Sequence, residues 1–113
     1  MIDSKWALVA LWGLTMILPT ERALGEDTGA GKLRVYVGTY TGGESKGIYV
    51  SALDLNSGAM EPARLAAESE NPSFVAIHPN GRFLYAVNEL LDFAGENSGA
   101  VTAFAIKPDG SLQ

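Results

Sequence analysis

From Leu33 onward the chain is written in short apolar runs separated by turn residues: "LRVYVGTYT", "GIYVSALDLNSGAM", "ARLAAES", "SFVAIHPNGRFLYAVNE" and "GAVTAFAIKPDGSL". β-branched and aromatic residues crowd these runs, and none carries the 3.6-residue periodicity of a long amphipathic helix. The pattern predicts strands over 34–40, 47–53, 61–68, 73–78, 83–88 and 100–106, with another beginning near Leu112. "SFVAI" and "FLYAV" are almost continuously apolar, as expected of strands covered on both faces. Between them lies "HPNGR", where Asn80-Gly81 predicts a type I′ hairpin turn, which needs φ > 0 at both central residues.

The runs repeat. "VYVGTY" (35–40) returns as "LYAVNE" (84–89), an offset of 84 − 35 = 49 residues, and "IYVSALDLNSGAM" (48–60) returns as "VTAFAIKPDGSL" (101–112), where 101 − 48 = 53 falls to 112 − 60 = 52. A drifting period of about 50 residues and four strands is that of a β-propeller blade, whose sheets stack face to face around a channel. With strands labelled a to d from the channel outward, 34–40, 47–53 and 61–68 read as b, c and d of one blade. Residues 73–78, 83–88 and 100–106 then read as a, b and c of the next. The chain so read is an N-terminal stretch of about one and two-thirds blades, leaving an unpaired strand edge and an open sheet face.

The start of the chain follows another pattern. "WALVALWGLTMILP" is a 14-residue apolar stretch behind Lys5, and Ala23 and Gly25 supply small residues before Glu26. This reads as a signal peptide over residues 1–25, removed on export to the periplasm or exterior. A membrane anchor or a buried helix is the alternative; the run falls short of the ~20 residues that cross hydrocarbon, and Pro19 closes it. Residues 26–33, with "EDTGAGK", read as a flexible linker, and 34–113 as the propeller.

Composition adds exclusions. The chain has 113 residues, 47% of them hydrophobic, no cysteine and a net charge of −5, which excludes disordered, disulfide-stapled and zinc-finger classes and argues against nucleic acid as a partner. A single histidine and scattered acids form no metal-ligand pattern. "GAG" and "TGG" lack the strand-to-helix context of a phosphate loop, so no cofactor is expected. Asn71-Pro72-Ser73 is no glycosylation acceptor, because proline fills its middle position.

"VYVGTYTGGESKGIYVSALDLNSGAM" followed by "NPSFVAIHPNGRFLYAVNEL" resembles the opening of the seven-bladed lactonase family, which includes the propeller-type 6-phosphogluconolactonases and the carboxymuconate cyclases. The resemblance covers about Arg34 to Gln113. It implies a seven-bladed β-propeller and a small-molecule sugar lactone as substrate, either hydrolysed or, in a cyclase, formed. A non-catalytic exported binding module remains open beside these.

Opening a lactone needs a base to activate water and donors for the developing oxyanion. His78 and Glu89 suggest such a pair, yet antiparallel strands around the Asn80-Gly81 turn put them at opposite ends of strand b, roughly 20 Å apart at ~3.3 Å per residue. His78 therefore reads as a turn residue. At the other end "ENPS" (70–73) enters strand a, "NELLDFAGENSG" (88–99) leaves strand b, and "YTGGESKG" (40–47) is the matching exit one blade earlier. Glu89 is the expected catalytic carboxylate, with Tyr40, Thr41, Asn71, Ser73 and Asn88 as the expected substrate-binding neighbours. Ser73 is expected nearly opposite Asn88.

Overall fold

The computed structural model describes residues 6–7 and 31–113. The expected signal peptide and linker therefore lie largely outside the described residues. What is described of the leader is a two-residue strand, β1 (Trp6–Ala7), running parallel to the backbone at Arg34 and Val35. Six further strands follow: β2 (Lys32–Val37), β3 (Gly47–Asp54), β4 (Arg64–Glu68), β5 (Pro72–Ile77), β6 (Phe83–Asn88) and β7 (Ala100–Ala105). The described residues contain no helix.

These strands form two sheets, ordered β1-β2-β3-β4 and β5-β6-β7, with antiparallel pairing from β2 to β4 and from β5 to β7. Beyond β7 the backbone continues the second sheet, since Ala105 and Gln113 exchange both N–H···O bonds at 2.8 and 3.0 Å. The predicted strands are all present, 83–88 with the bounds expected and the others with shifted ends. β2 begins at Lys32 and stops at Val37, because Gly38 passes against the next blade: a Cβ there would lie 2.0 Å from the carbonyl oxygen of Pro72. β4 starts at Arg64 rather than at 61. Pro62 has no N–H for a ladder, while Glu61 bonds back to Ala52 through its N–H and to the Ser51 hydroxyl through its carbonyl.

The hairpin at "HPNGR" is not type I′. Only Gly81 has positive φ, 70°, and its N–H bonds to the His78 carbonyl at 2.8 Å, which centres the turn on Pro79 and Asn80. Proline's fixed φ suits the first central position of a type I turn, and the glycine behind it takes the left-handed position. "KPDG" (107–110) makes the same turn, with Gly110 N–H on the Lys107 carbonyl at 2.9 Å and φ 88°.

The two sheets stack through one face each. Tyr36, Ile48, Val50 and Ala66 of the first meet Leu84, Ala86 and Leu112 of the second, with Val75, Ile77, Phe104 and Ile106 around them. Ile48 and Leu84 are fully buried, each worth ~1.5–3 kcal/mol in apolar burial. Polar clamps fix the stacking at the 107–110 turn: the Tyr36 hydroxyl donates to the Gly110 carbonyl at 2.8 Å, and Arg34 donates to the Pro108 carbonyl at 2.8 Å. Leu112 N–H reaches the Ala66 carbonyl at 3.0 Å, a backbone bond between the sheets. The far face of the second sheet is open. Phe74, Tyr85, Val87 and Val101 lie on it, with Phe74 60% and Val101 70% exposed. This is the successive-blade architecture of a β-propeller, and it brings the β2–β3 connection, the Asn71 turn and the end of β6 to one end of the stack.

Candidate active site at the blade junction

Tyr40 and Glu89 lie 49 residues apart, at equivalent positions of the two repeats, and their side chains meet: the Tyr40 hydroxyl donates to Glu89 Oε2 at 2.7 Å. Tyr40 stands in the loop after β2, and Glu89 is the first residue past β6. Both side chains face solvent. The phenol of Tyr40, and after it the hydroxyl of Ser73, hold the Glu89 carboxyl below its ordinary range, because both hydrogen bonds favour the ionised form. In return the bond to Glu89, followed by its negative charge, pushes the Tyr40 phenol up.

Asn71 ties this pair to the backbone beneath it. Its φ is 42°, left-handed for a non-glycine residue and a region asparagine tolerates. In that conformation its carbonyl accepts two N–H groups, from Ser73 at 2.7 Å and from Glu89 at 3.0 Å. Asn71 Oδ1 accepts from the Thr41 N–H at 2.9 Å and from the Thr41 hydroxyl at 3.2 Å, and the same hydroxyl accepts from the Asn71 N–H at 3.1 Å. Asn71 Nδ2 donates to the Glu89 carbonyl at 3.4 Å.

Ser73 is not opposite Asn88. The ladder pairs Pro72 with Asn88 and then Phe74 with Val87, leaving Ser73 in a bulge. Pro72 has no N–H to donate, and the Ser73 N–H turns back to Asn71, so the extra residue is absorbed there. The bulge lets the Ser73 hydroxyl serve Glu89. Asn88 takes a different place: it is 5% exposed, with Nδ2 donating to the Ser69 hydroxyl at 2.8 Å and the Glu70 carbonyl at 2.6 Å, while Oδ1 accepts from the Thr102 hydroxyl at 2.7 Å. It shares the blade-facing side of β6 with Leu84 and Ala86, whereas Tyr40, Thr41, Asn71, Ser73 and Glu89 form one connected group.

His78 lies at the opposite end of β6. Its Nδ1 accepts the Asn80 N–H at 3.1 Å, and its ring meets those of Phe83 and Tyr85 edge-on at 6.3 and 6.4 Å. Among the described residues no three His, Cys, Asp or Glu side chains converge as a metal site. Two participants were not anticipated as such. The pairing of Tyr40 with Glu89 is foreshadowed only by their equivalence in the repeat, and Gly38, which lets the blades approach, is foreshadowed only by glycine next to "TYT".

What the group can do chemically is limited and definite: it presents an ionised carboxylate, oriented by two hydroxyls, at the solvent-facing end of a blade junction. A family model described as a lactonase, seven-bladed β-propeller, matches residues 34–113. Over 78 residues the chain is 40% identical to a 6-phosphogluconolactonase of Bacillus subtilis, covering 68% of this chain and 21% of that protein. Crystal structures of candidate 6-phosphogluconolactonases from Bacteroides uniformis and Bacteroides fragilis superpose with TM-scores of 0.64 and 0.62 at 32% and 35% identity; the matches cover 74% and 76% of this chain and 23% of each of theirs. The chain thus spans about a fifth of the length of the curated relative it matches. It belongs to the seven-bladed β-propeller lactonase family.

Proposed function

We propose that this member of the lactonase family contributes part of the wall of a sugar-lactone hydrolase site, with Glu89 as the base. The substrate is 6-phosphogluconolactone or a related sugar lactone. The observation that carries this reading is the Tyr40–Glu89 hydrogen bond, which joins two blades through side chains that remain open to a ligand. Names of the relatives support the lactone class, and the 14-residue apolar leader supports an exported product.

In this scheme water bound beside Glu89 Oε1 attacks the lactone carbonyl carbon and gives its proton to the carboxylate. The tetrahedral oxyanion collapses, the ring C–O bond breaks, and the departing alkoxide takes up a proton, leaving the open-chain hydroxy acid. Glu89 is ionised at neutral pH and can accept the proton, while the Tyr40 hydroxyl fixes its second oxygen. Donors for the oxyanion and contacts to the rest of the substrate are assigned to other blades.

The test is Glu89→Gln in an intact propeller carrying this segment, assayed for hydrolysis of a sugar lactone. A rate equal to that of the parent, in folded protein, would overturn the assignment.

A further inference from the structure

Asn71 has the composition of a ligand contact and the geometry of something else. Every backbone polar group it owns is engaged, and so are both side-chain atoms: N–H to the Thr41 hydroxyl, C=O to Ser73 and Glu89, Oδ1 to Thr41, and Nδ2 to Glu89. The partners come from two blades. Thr41 adjoins Tyr40 in the loop of the first, and Glu89 closes β6 of the second. We propose that Asn71, paired with Thr41, is a positioning residue that fixes the Tyr40 loop against the end of β6 and thereby sets the contact between the Tyr40 hydroxyl and the Glu89 carboxylate.

The argument is one of degrees of freedom. Tyr40 and Glu89 are exposed, and a hydrogen bond between exposed side chains ordinarily loses to water and side-chain entropy. Here the two backbones are already joined: the Asn71 carbonyl holds the Glu89 N–H, and its side chain holds the neighbour of Tyr40. On one side of Tyr40 the Thr39 hydroxyl ties the loop to its own blade through the Gly47 carbonyl at 2.6 Å, and on the other side Thr41 ties it to the second blade. The φ of 42° is what lets one residue face both blades, and it favours asparagine, aspartate or glycine at the position.

The inference deepens the proposed function, because the contact matters for catalysis only if Glu89 is the base. The test reads the contact itself. In the 113-residue chain, the Glu89 carboxyl is titrated by carbon-13 NMR in four variants, with melting curves in parallel. Asn71→Gly keeps the left-handed backbone and both carbonyl bonds while removing the side-chain latch. Thr41→Val removes the two bonds of the Thr41 hydroxyl and leaves the Thr41 N–H on Asn71 Oδ1, Thr41→Ser restores the hydroxyl, and Tyr40→Phe removes the phenol outright. Expected is a rise of the Glu89 pKa toward the ordinary carboxylate range in Asn71→Gly, Thr41→Val and Tyr40→Phe, with Thr41→Ser titrating as the parent does. A stabilising but non-positioning role would lower the melting temperature and leave the titration in place. An unmoved titration in Asn71→Gly and Thr41→Val, with Tyr40→Phe shifted, overturns the proposal; an unmoved titration in Tyr40→Phe overturns it too, since the contact to be positioned would be absent in solution. Full lactone hydrolysis by Glu89→Gln would sink the catalytic reading without touching these titrations.

Discussion

The Tyr40 hydroxyl and the Glu89 carboxylate, equivalent positions of successive repeats, are hydrogen-bonded to each other across a blade junction at 2.7 Å. In a stack of sheets related by one repeat, equivalent residues lie on one ring around the channel. A bond between two of them joins neighbouring blades through side chains that face solvent.

Replacing the two ends of β6 should therefore have opposite consequences. In an intact propeller carrying this segment, Glu89→Gln is expected to slow lactone hydrolysis by ~10²–10⁴, the usual loss of a positioned base. His78→Ala should cost roughly 1 kcal/mol of stability for one turn hydrogen bond, with turnover per folded molecule unchanged. Steady-state rates and melting curves on both variants separate these outcomes, and a reversal would move the site to the turn face.

The pH dependence has a defined sign. The hydroxyls of Tyr40 and Ser73 depress the folded pKa of Glu89, so the carboxylate's favourable contribution is present above the unfolded pKa and is lost as pH falls through the folded one. In its proposed role as base Glu89 works in its ionised form, so the acid limb of the rate profile is expected to lie low. Tyr40→Phe removes the largest cause of the depression and is expected to move that limb to higher pH. Profiles of kcat/KM for the two proteins check this; coincident acid limbs would show that Glu89 does not set the limb.

Leu84 tests the junction without touching the site. It is fully buried between the sheets, and Leu84→Ala is expected to cost ~2–5 kcal/mol in a folded propeller through lost burial and the cavity left behind. Urea denaturation would measure it. A cost below ~1 kcal/mol would mean that the two blades are held chiefly by their polar clamps.

Gly38→Ala puts a Cβ 2.0 Å from the Pro72 carbonyl oxygen, a backbone atom that cannot swing aside. The blades must part at the site end, costing ~1–3 kcal/mol and lengthening the path from Tyr40 to Glu89. Stability and turnover should fall together; thermal melts paired with rate measurements would reveal whether they do.

The open face of the second sheet should make the 113-residue chain associate. Phe74 and Val101 are its most exposed large residues, and contiguous apolar surface drives association. Sedimentation velocity on the chain and on a Phe74→Thr, Val101→Thr variant is expected to show less self-association in the variant.

Much of this was legible because β5 and β6 are written as near-continuous apolar runs, and because the two repeats can be laid over each other residue by residue. The run around Leu84 and Ala86 marked strand b, and the repeat marked which ends would share a face. What escaped is what depends on a shift of one residue. Pro79 moves the turn one position toward the N-terminus, since its fixed φ suits the first central place of a type I turn. Pro72 and the bulge at Ser73 change the facing pair at the end of the ladder, and in a pleated sheet a single step exchanges inside for outside. That is why Asn88 bonds inward to Ser69, Glu70 and Thr102 while Glu89 faces the solvent.

The two connections flanking β7 live under different constraints. The 107–110 turn is gripped by Arg34 and Tyr36 and closed on itself by the Gly110 N–H, so a residue inserted there would break several bonds at once. Residues 91–99, between β6 and β7, are exposed throughout. Insertions and deletions can accumulate in that stretch with little effect on how blades stack. It leaves the sheet directly beside Glu89. On the proposed assignment of Glu89, new substrates would be reached in evolution by lengthening or rewriting this loop, while the scaffold that aims the carboxylate is inherited unchanged.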